Sequence, residues 1–326
     1  VTLGLRRQTP LTVVVVLAAV PLVVTNNYYL DSLIVIFFWA AMAAAWNIVG
    51  GYAGQLSLGH TAFFGIGAYT SSLLFARFTV TPWLGLFAGA LLAALFGVFV
   101  GVVCFRLRGP FFALVTIAFA EVALIVASSW RELTRGTEGL NIPFRPALGN
   151  MLFRGKVTYF YIFLAFALVL YLVSRAIENS RLGYYLVAFR EDEAAARALG
   201  INTIRIRLVA LALSAAFTAV GGTLYAQYYQ YLDPGSVFGI NFSIQVALLT
   251  MVGGIGTASG PVFGALLMTP LGQFLRAWLG GGAAGLYLAI YGIALMLVVL
   301  FLPHGIVPEV RRRLGWRTAA EDDDAA

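Results

Sequence analysis

Apolar stretches long enough to cross a bilayer alternate along this chain with short polar or glycine-rich breaks. They fall at about 11–25, 30–49, 53–76, 83–105, 111–130, 157–176, 207–231, 241–257, 261–279 and 286–302. The runs reach 25 residues and lack the strict alternation of a membrane β-strand, which needs only about 10, so they predict helices. The pattern predicts an all-α integral membrane protein: a polytopic bundle of about ten spans, the glycine-rich ones open to a break in the helix. It is expected to form a single transmembrane domain over residues 1–326, with no soluble domain large enough for its own core. The first run, preceded by Arg6 and Arg7, resembles a signal peptide. No small-x-small cleavage site follows before Asn26 and Asn27, so it is expected to stay as a span.

The polar exception is Arg190 to Asn202, which predicts one short helix. Glu191, Asp192 and Glu193 would offset the dipole in its first turn, Arg197 would sit near its last, and Gly200 would stop it in the left-handed conformation. Ala194, Ala195, Ala196 and Ala198 add helix propensity and a face of little bulk. Such a face can seat in a shallow groove on a partner, and it equally suits a connector resting on the membrane surface.

Positive charge orients the spans. With the N-terminus inside, segments 1–10, 106–110, 177–207 and 303–326 hold thirteen basic residues and the outer segments six. Both termini, the loop 177–207 and the tail 308–326 are therefore expected in the cytoplasm. Hydrophobic residues make up 61% of the chain and charged ones 11%, against about 25% in soluble domains. The net charge of +7 then reports topology rather than affinity for nucleic acid.

Two glycine-rich stretches interrupt the apolar pattern. Gly50-Gly51-Tyr52-Ala53-Gly54-Gln55-Leu56-Ser57-Leu58-Gly59-His60 runs on to Gly65 and Gly67, and helix propensity does not explain it. Opened backbone at membrane depth is tolerated beside protein or a water-filled cavity. Gln55, Ser57, Gly59, His60 and Thr61 are thus candidates to line a pathway; tight packing of internally bonded polar groups reads equally well. The second stretch is Gly253-Gly254-Ile255-Gly256-Thr257-Ala258-Ser259-Gly260-Pro261, then Gly264. The four-residue spacing of Gly256, Gly260 and Gly264 would place them on one helix face, unless Pro261 breaks the helix. Two distant glycine-rich interruptions suggest a transport pathway that includes Gly253, Gly254 and Gly256. Gly97 and Gly101 read as ordinary packing.

Glu121 is the one acid well inside a span. It is a candidate for the pathway or an ion site, against a neutral, hydrogen-bonded Glu that fixes neighbouring spans. Catalysis has no visible home. The sole Lys156 precedes Val157, so there is no P-loop; neither His-Glu-x-x-His nor Gly-x-Ser-x-Gly appears. Cys104 stands alone, which rules out an intrachain disulfide, and with only His60 and His304 a metal site is not expected.

Four segments in order resemble the permease subunits of bacterial branched-chain amino-acid ABC importers, the LivM type, over roughly 30–307. They are Gly54-Gln55-x-Ser57-Leu58-Gly59-His60 with Gly65-x-Gly67-Ala68-Tyr69; Phe112-Ala113-Leu114-Val115-Thr116-Ile117-Ala118-Phe119-Ala120-Glu121; Arg190-Glu191 with Ala194 to Arg197 and Gly200-Ile201-Asn202; and Gly253-Gly254-x-Gly256-Thr257-x-x-Gly260-Pro261. One departure is Thr134-Arg135-Gly136-Thr137-Glu138-Gly139, where the family usually has Thr-Gly-Gly-Thr-Asn/Asp-Gly.

The resemblance implies a non-enzymatic transport subunit of the inner membrane that moves branched-chain or related amino acids. ATP would be hydrolysed by partners. Residues Arg190, Glu191, Glu193, Ala194, Ala195, Ala196, Arg197 and Gly200 would form the coupling helix. Implied partners are a second, related permease, two ATP-binding cassette subunits and a periplasmic or lipid-anchored binding protein, with membrane lipid around the bundle and no cofactor. Permeases for urea, short amides and small carboxylates resemble the same family. The competing reading of the residues is a secondary transporter coupled to an ion at Glu121.

Overall fold

The computed structural model describes residues 16–24, 26–105, 110–279, 284–302 and 305–313. Residues 11–15 and 25 of the expected first span and most of the tail 308–326 lie outside these residues; 16–23 is helical. Seven helical stretches among the described residues are long and apolar enough to cross a membrane: 27–52, 82–104, 111–129, 156–178, 203–229, 234–253 and 260–279.

Helix α1, Asn27–Asn47, starts where the Asn26 side chain accepts the Tyr28 N–H at 2.9 Å, and ends in a π-helical turn, Ile48–Tyr52. Residues 53–59 are not helical, and α2 resumes at His60–Phe78. Helix α2 has the length of a span, but its serines, threonines and glycines lower its hydropathy. Then come α3, Pro82–Cys104; α4, Pro110–Ser129; and α5, Lys156–Glu178. The amphipathic pair α6, Arg181–Glu191, and α7, Glu193–Ala198, precedes α8, Thr203–Tyr229. The chain continues through α9, Pro234–Phe238; α10, Ile240–Gly253; α11, Gly260–Leu279; α12, Ala284–Phe301; and α13, Ile306–Arg313.

Small residues set the packing. Gly85, Gly89, Ala93, Gly97 and Gly101 recur every fourth residue on the buried side of α3, while Phe87, Leu91, Leu95 and Phe99 are exposed opposite. A Cβ on Gly89 would lie 3.1 Å from the Gly67 Cα of α2, and one on Gly67 would lie 2.0 Å from the Ala219 carbonyl of α8. These helices therefore touch backbone to backbone, where van der Waals contact replaces the hydrophobic drive that lipid removes. Helix α1 is central, with 83% of its apolar window buried, whereas the figure for α4 is 22%.

The bundle has two distinct ends. At one, Asp31 pairs with Lys156 at 2.8 Å and accepts the Tyr228 hydroxyl. Strand β1, Leu140–Asn141, there pairs antiparallel with β2, Tyr231–Leu232. The nearby turn holds Arg135, Gly136 and Gly139 at φ 63°, 58° and 77°. Arg135 thus takes a left-handed conformation at the position where the family pattern has glycine. At the other end lie the π turn, the helix pair, the second glycine-rich stretch and α13.

Candidate functional site

The first glycine-rich stretch folds back into the bundle as non-helical backbone. Gly50 and Gly51 are required there, because a Cβ would lie 2.2 Å from the Trp46 ring at Gly50 and 1.8 Å from the Asn47 Oδ1 at Gly51. The returning segment is held by side chains: Trp46 Nε1 donates to the Ser57 carbonyl at 2.7 Å, and the Leu58 N–H donates to Thr116 Oγ1 at 3.1 Å. Gly59 fits against the Thr116 carbonyl, 2.7 Å from where a Cβ would sit.

His60 is buried between two hydroxyls. Ser214 Oγ donates its proton to the Ala45 carbonyl at 2.7 Å, so it accepts from His60 Nε2 at 2.7 Å, and Nδ1 accepts from Ser57 Oγ at 3.0 Å. Thr61 is equally enclosed. Its N–H donates to Ser243 Oγ at 2.9 Å, and its hydroxyl faces the Val237 and Gly239 carbonyls, each at 3.0 Å. Ser57, His60 and Thr61 therefore come together as a bonded interior, and Gly59 packs beside them. Gln55 is half-buried, and its Oε1 has no hydrogen-bond partner among the described residues.

The second stretch is another helix break. Helix α10 ends at Gly253, Gly254 follows at φ 129°, and α11 restarts at Gly260. Gly256 lies in the loop, so only Gly260 and Gly264 share a helix; Pro261 starts α11 instead of breaking it. Cβ atoms at Gly253 and Gly264 would fall 1.7 Å from the Gly260 carbonyl and 1.9 Å from the Leu249 carbonyl, which brings α10 and α11 into backbone contact.

The two breaks meet. Asn47 Nδ2 donates to the Thr257 carbonyl at 3.0 Å, and its Oδ1 accepts the Gly256 N–H at 2.9 Å. This amide clasp escaped the sequence reading; its only signal was a polar residue closing an apolar run just before two glycines.

Arg190 joins the same junction. Its Nη1 donates to the Gly51 carbonyl at 3.2 Å; a Cβ on Gly54 would lie 2.5 Å from its Cγ and one on Gly256 3.0 Å from the same Nη1. Glu191 Oε1 receives the Nε and Nη2 protons at 3.0 and 2.7 Å.

The helix expected over Arg190–Asn202 is divided in two. Arg190 and Glu191 end α6, where a cation suits the C-terminal dipole. Asp192 is extended, and its carboxylate accepts the N–H groups of Ala194 and Ala195 at 2.7 and 3.0 Å, so it caps α7 instead of lying within it. Gly200 has φ 82°, and the Gly200 and Ile201 N–H groups close on the carbonyls of Arg197 and Ala196 at 2.9 and 3.1 Å, a Schellman ending.

Glu193 pairs with Arg197 inside α7 and ties that helix to α8 through Arg207 at 3.6 Å, and Arg207 lies 4.7 Å over the Phe105 ring and 4.6 Å over that of Phe189. Ala196 is buried against the chain, while Ala194, Ala195, Ala198, Leu199 and Gly200 are exposed. The surface offered by this pair is thus narrower than four alanines, and it includes Leu199, 81% exposed.

Glu121 lies apart, exposed on the outer face of α4. Among the described residues no group of three or more His, Cys, Asp or Glu is placed to hold a metal ion.

The model of the family described as "Branched-chain amino acid transport system / permease component" matches residues 28–300. Among similar proteins is the high-affinity branched-chain amino acid transport system permease protein LivM of Escherichia coli K12, 29% identical over 86% of this chain and 70% of that protein. The probable branched-chain amino acid transport permease protein LivM of Methanocaldococcus jannaschii is 24% identical over 76% and 78%. The permease protein LivH of Salmonella typhimurium, from a transport system of the same description, is 26% identical over 84% and 92%. No solved structure matches the chain. With the family model covering nearly all of the described bundle, this chain belongs to the family of permease components of branched-chain amino acid transport systems.

Proposed function

We propose that this chain is one membrane subunit of an ATP-driven importer for branched-chain or related amino acids. A second, related permease completes the membrane part, two ATP-binding cassette subunits hydrolyse ATP, and a periplasmic or lipid-anchored protein delivers substrate. The family match supports this machine over an ion-coupled transporter. It leaves permeases for urea, short amides and small carboxylates as neighbouring readings of the substrate.

The bundle would lie in the inner membrane with ten crossings: the seven long apolar stretches, α2, α12 and the run at 11–25. Both termini and the helix pair would face the cytoplasm, as the thirteen-to-six division of basic residues favours. Gln55, Ser57, Gly59, His60 and Thr61, with Gly253, Gly254 and Gly256, would frame the pathway rather than line an open channel.

Arg190 is the observation that carries the mechanism. The α6–α7 pair is the surface proposed to meet the ATPase, and Arg190 at its centre touches both glycine breaks. A push on α7 would reach the π turn and the 254–259 loop through one side chain, with Asn47 keeping the two breaks in step. Charged residues such as Glu191 would set register on the partner, and the exposed Ala194, Ala195 and Leu199 would make the fitted contact.

Ala195→Trp and Gly200→Val test the docking. The first fills the contact surface; the second puts a β-branched residue at a positive φ. Both variants are expected to insert and to co-purify with the sister permease, while binding of the ATPase subunits and uptake fall. Normal binding and uptake in both would make the pair a connector only.

A further inference from the structure

Helix α4 carries a charge where a membrane helix can least hold one. Phe111, Leu114, Ala118, Glu121, Val122 and Ile125 are exposed on one face, and Thr116, Ala120 and Ala127 are buried on the other. Glu121 stands near the middle of the 20-residue helix, and no hydrogen bond or ion pair involves it among the described residues. Side chains on a helix lean toward its N-terminus, which directs Glu121 deeper and away from the nearer end of the span. The other acids of the spans are placed differently: Asp31 sits in the first turns of α1 with Lys156, and Glu178 closes α5. The outer face of α3, with Phe87, Leu91 and Leu95, is purely apolar and suits lipid. A carboxylate presented to lipid does not suit it, and such residues face protein or water.

We propose that this face of α4 is the seam against the second permease, and that Glu121 there receives the ammonium group of a zwitterionic substrate. The inference rests on the two-permease reading above and deepens it. The occupant is a homologous permease because two permease proteins, LivM and LivH, carry the same system description in Salmonella typhimurium and both match this chain. Helix α4 is also among the least enclosed of the spans, and contact along it would cover Glu121, an exposed carboxylate near the middle of its helix. An ammonium group supplies the missing counter-charge, while Leu114, Ala118, Val122 and Ile125 around the carboxylate suit an apolar side chain.

Two measurements on the full complex in proteoliposomes test this, with ATP-dependent uptake by the wild-type complex as the control for the importer reading itself. A photo-crosslinking residue at Ala118 should give an adduct with the second permease; adducts with lipid alone overturn the seam. Glu121→Gln should raise the KM for a branched-chain amino acid by about tenfold or more, the loss of one charge-assisted hydrogen bond, measured on complex whose assembly has been verified. Glu121→Asp should retain part of the affinity. A KM unchanged in Glu121→Gln overturns the ammonium role even if the crosslink forms. A defect that vanishes when the proton gradient is collapsed also overturns it, because that marks an ion site.

Discussion

His60 and Arg190 each bring an ionisable side chain against glycine-broken backbone, but their surroundings differ in kind. His60 is enclosed, both ring nitrogens are matched to hydroxyls, and one of those hydroxyls is itself anchored on the Ala45 carbonyl. Arg190 keeps 36% of its side chain exposed and leans on one backbone carbonyl and on Glu191, which is itself 68% exposed. The first arrangement fixes three segments in one geometry, since any displacement leaves a buried polar group unmatched. The second costs little to break and touches both glycine breaks. Polar groups in the same bundle can therefore serve as a clamp or as a joint, and burial with complete partnering separates the two.

Disturbing the joint's backbone should have the largest effect. At Gly253 a Cβ would meet the Gly260 carbonyl at 1.7 Å, with backbone on both sides and no flexible side chain to yield. Gly253→Val should cost well over the roughly 1–3 kcal/mol of ordinary overpacking and abolish the assembled complex, read as loss of the monodisperse peak in detergent. Gly59→Leu, against the Thr116 carbonyl, should follow closely. A stable Gly253→Val complex would show that α10 and α11 do not cross at backbone contact.

Opening the clamp comes next. Ser214→Ala removes an acceptor of His60 and should cost about 1–3 kcal/mol, the penalty of one buried group left unmatched. It should lower the melting temperature while transport per folded complex stays unchanged. Loss of transport without loss of stability would place His60 in the pathway rather than in its frame.

Two arms of the comparison were readable from the sequence to different degrees. Glycines inside apolar runs stand out, so both breaks were visible. Their meeting was not, because Asn47 and Thr257 are 210 positions apart and Asn47 belongs to none of the motif segments. Glu191-Asp192-Glu193 fits either a first helical turn or a cap; only the extended backbone at Asp192 decides for the cap. Glu121 was conspicuous as a lone acid. Its outward direction was hidden because both faces of α4 are apolar, and a hydrophobic pattern cannot say which apolar face meets lipid. Helix α2 shows the converse, since a helix enclosed by protein needs no lipid-facing side and can carry many small and polar residues.

The smallest change lies at the opposite end from the joint. Arg135→Gly should stabilise the complex by up to about 1 kcal/mol, by relieving a left-handed arginine, and leave transport unchanged. A destabilised variant would mean that the Arg135 side chain contributes more than its backbone costs.

The most direct test of the joint is Arg190→Ala in the reconstituted complex, with ATP hydrolysis and amino-acid uptake followed in the same vesicles. The helix pair keeps its Glu193 and Arg207 attachment, so assembly and hydrolysis should persist. Uptake per ATP should fall by about tenfold or more, equivalent to at least ~1.4 kcal/mol of lost coupling. A ratio of uptake to hydrolysis equal to that of the wild type would contradict the claim that Arg190 links the α6–α7 pair to the glycine breaks.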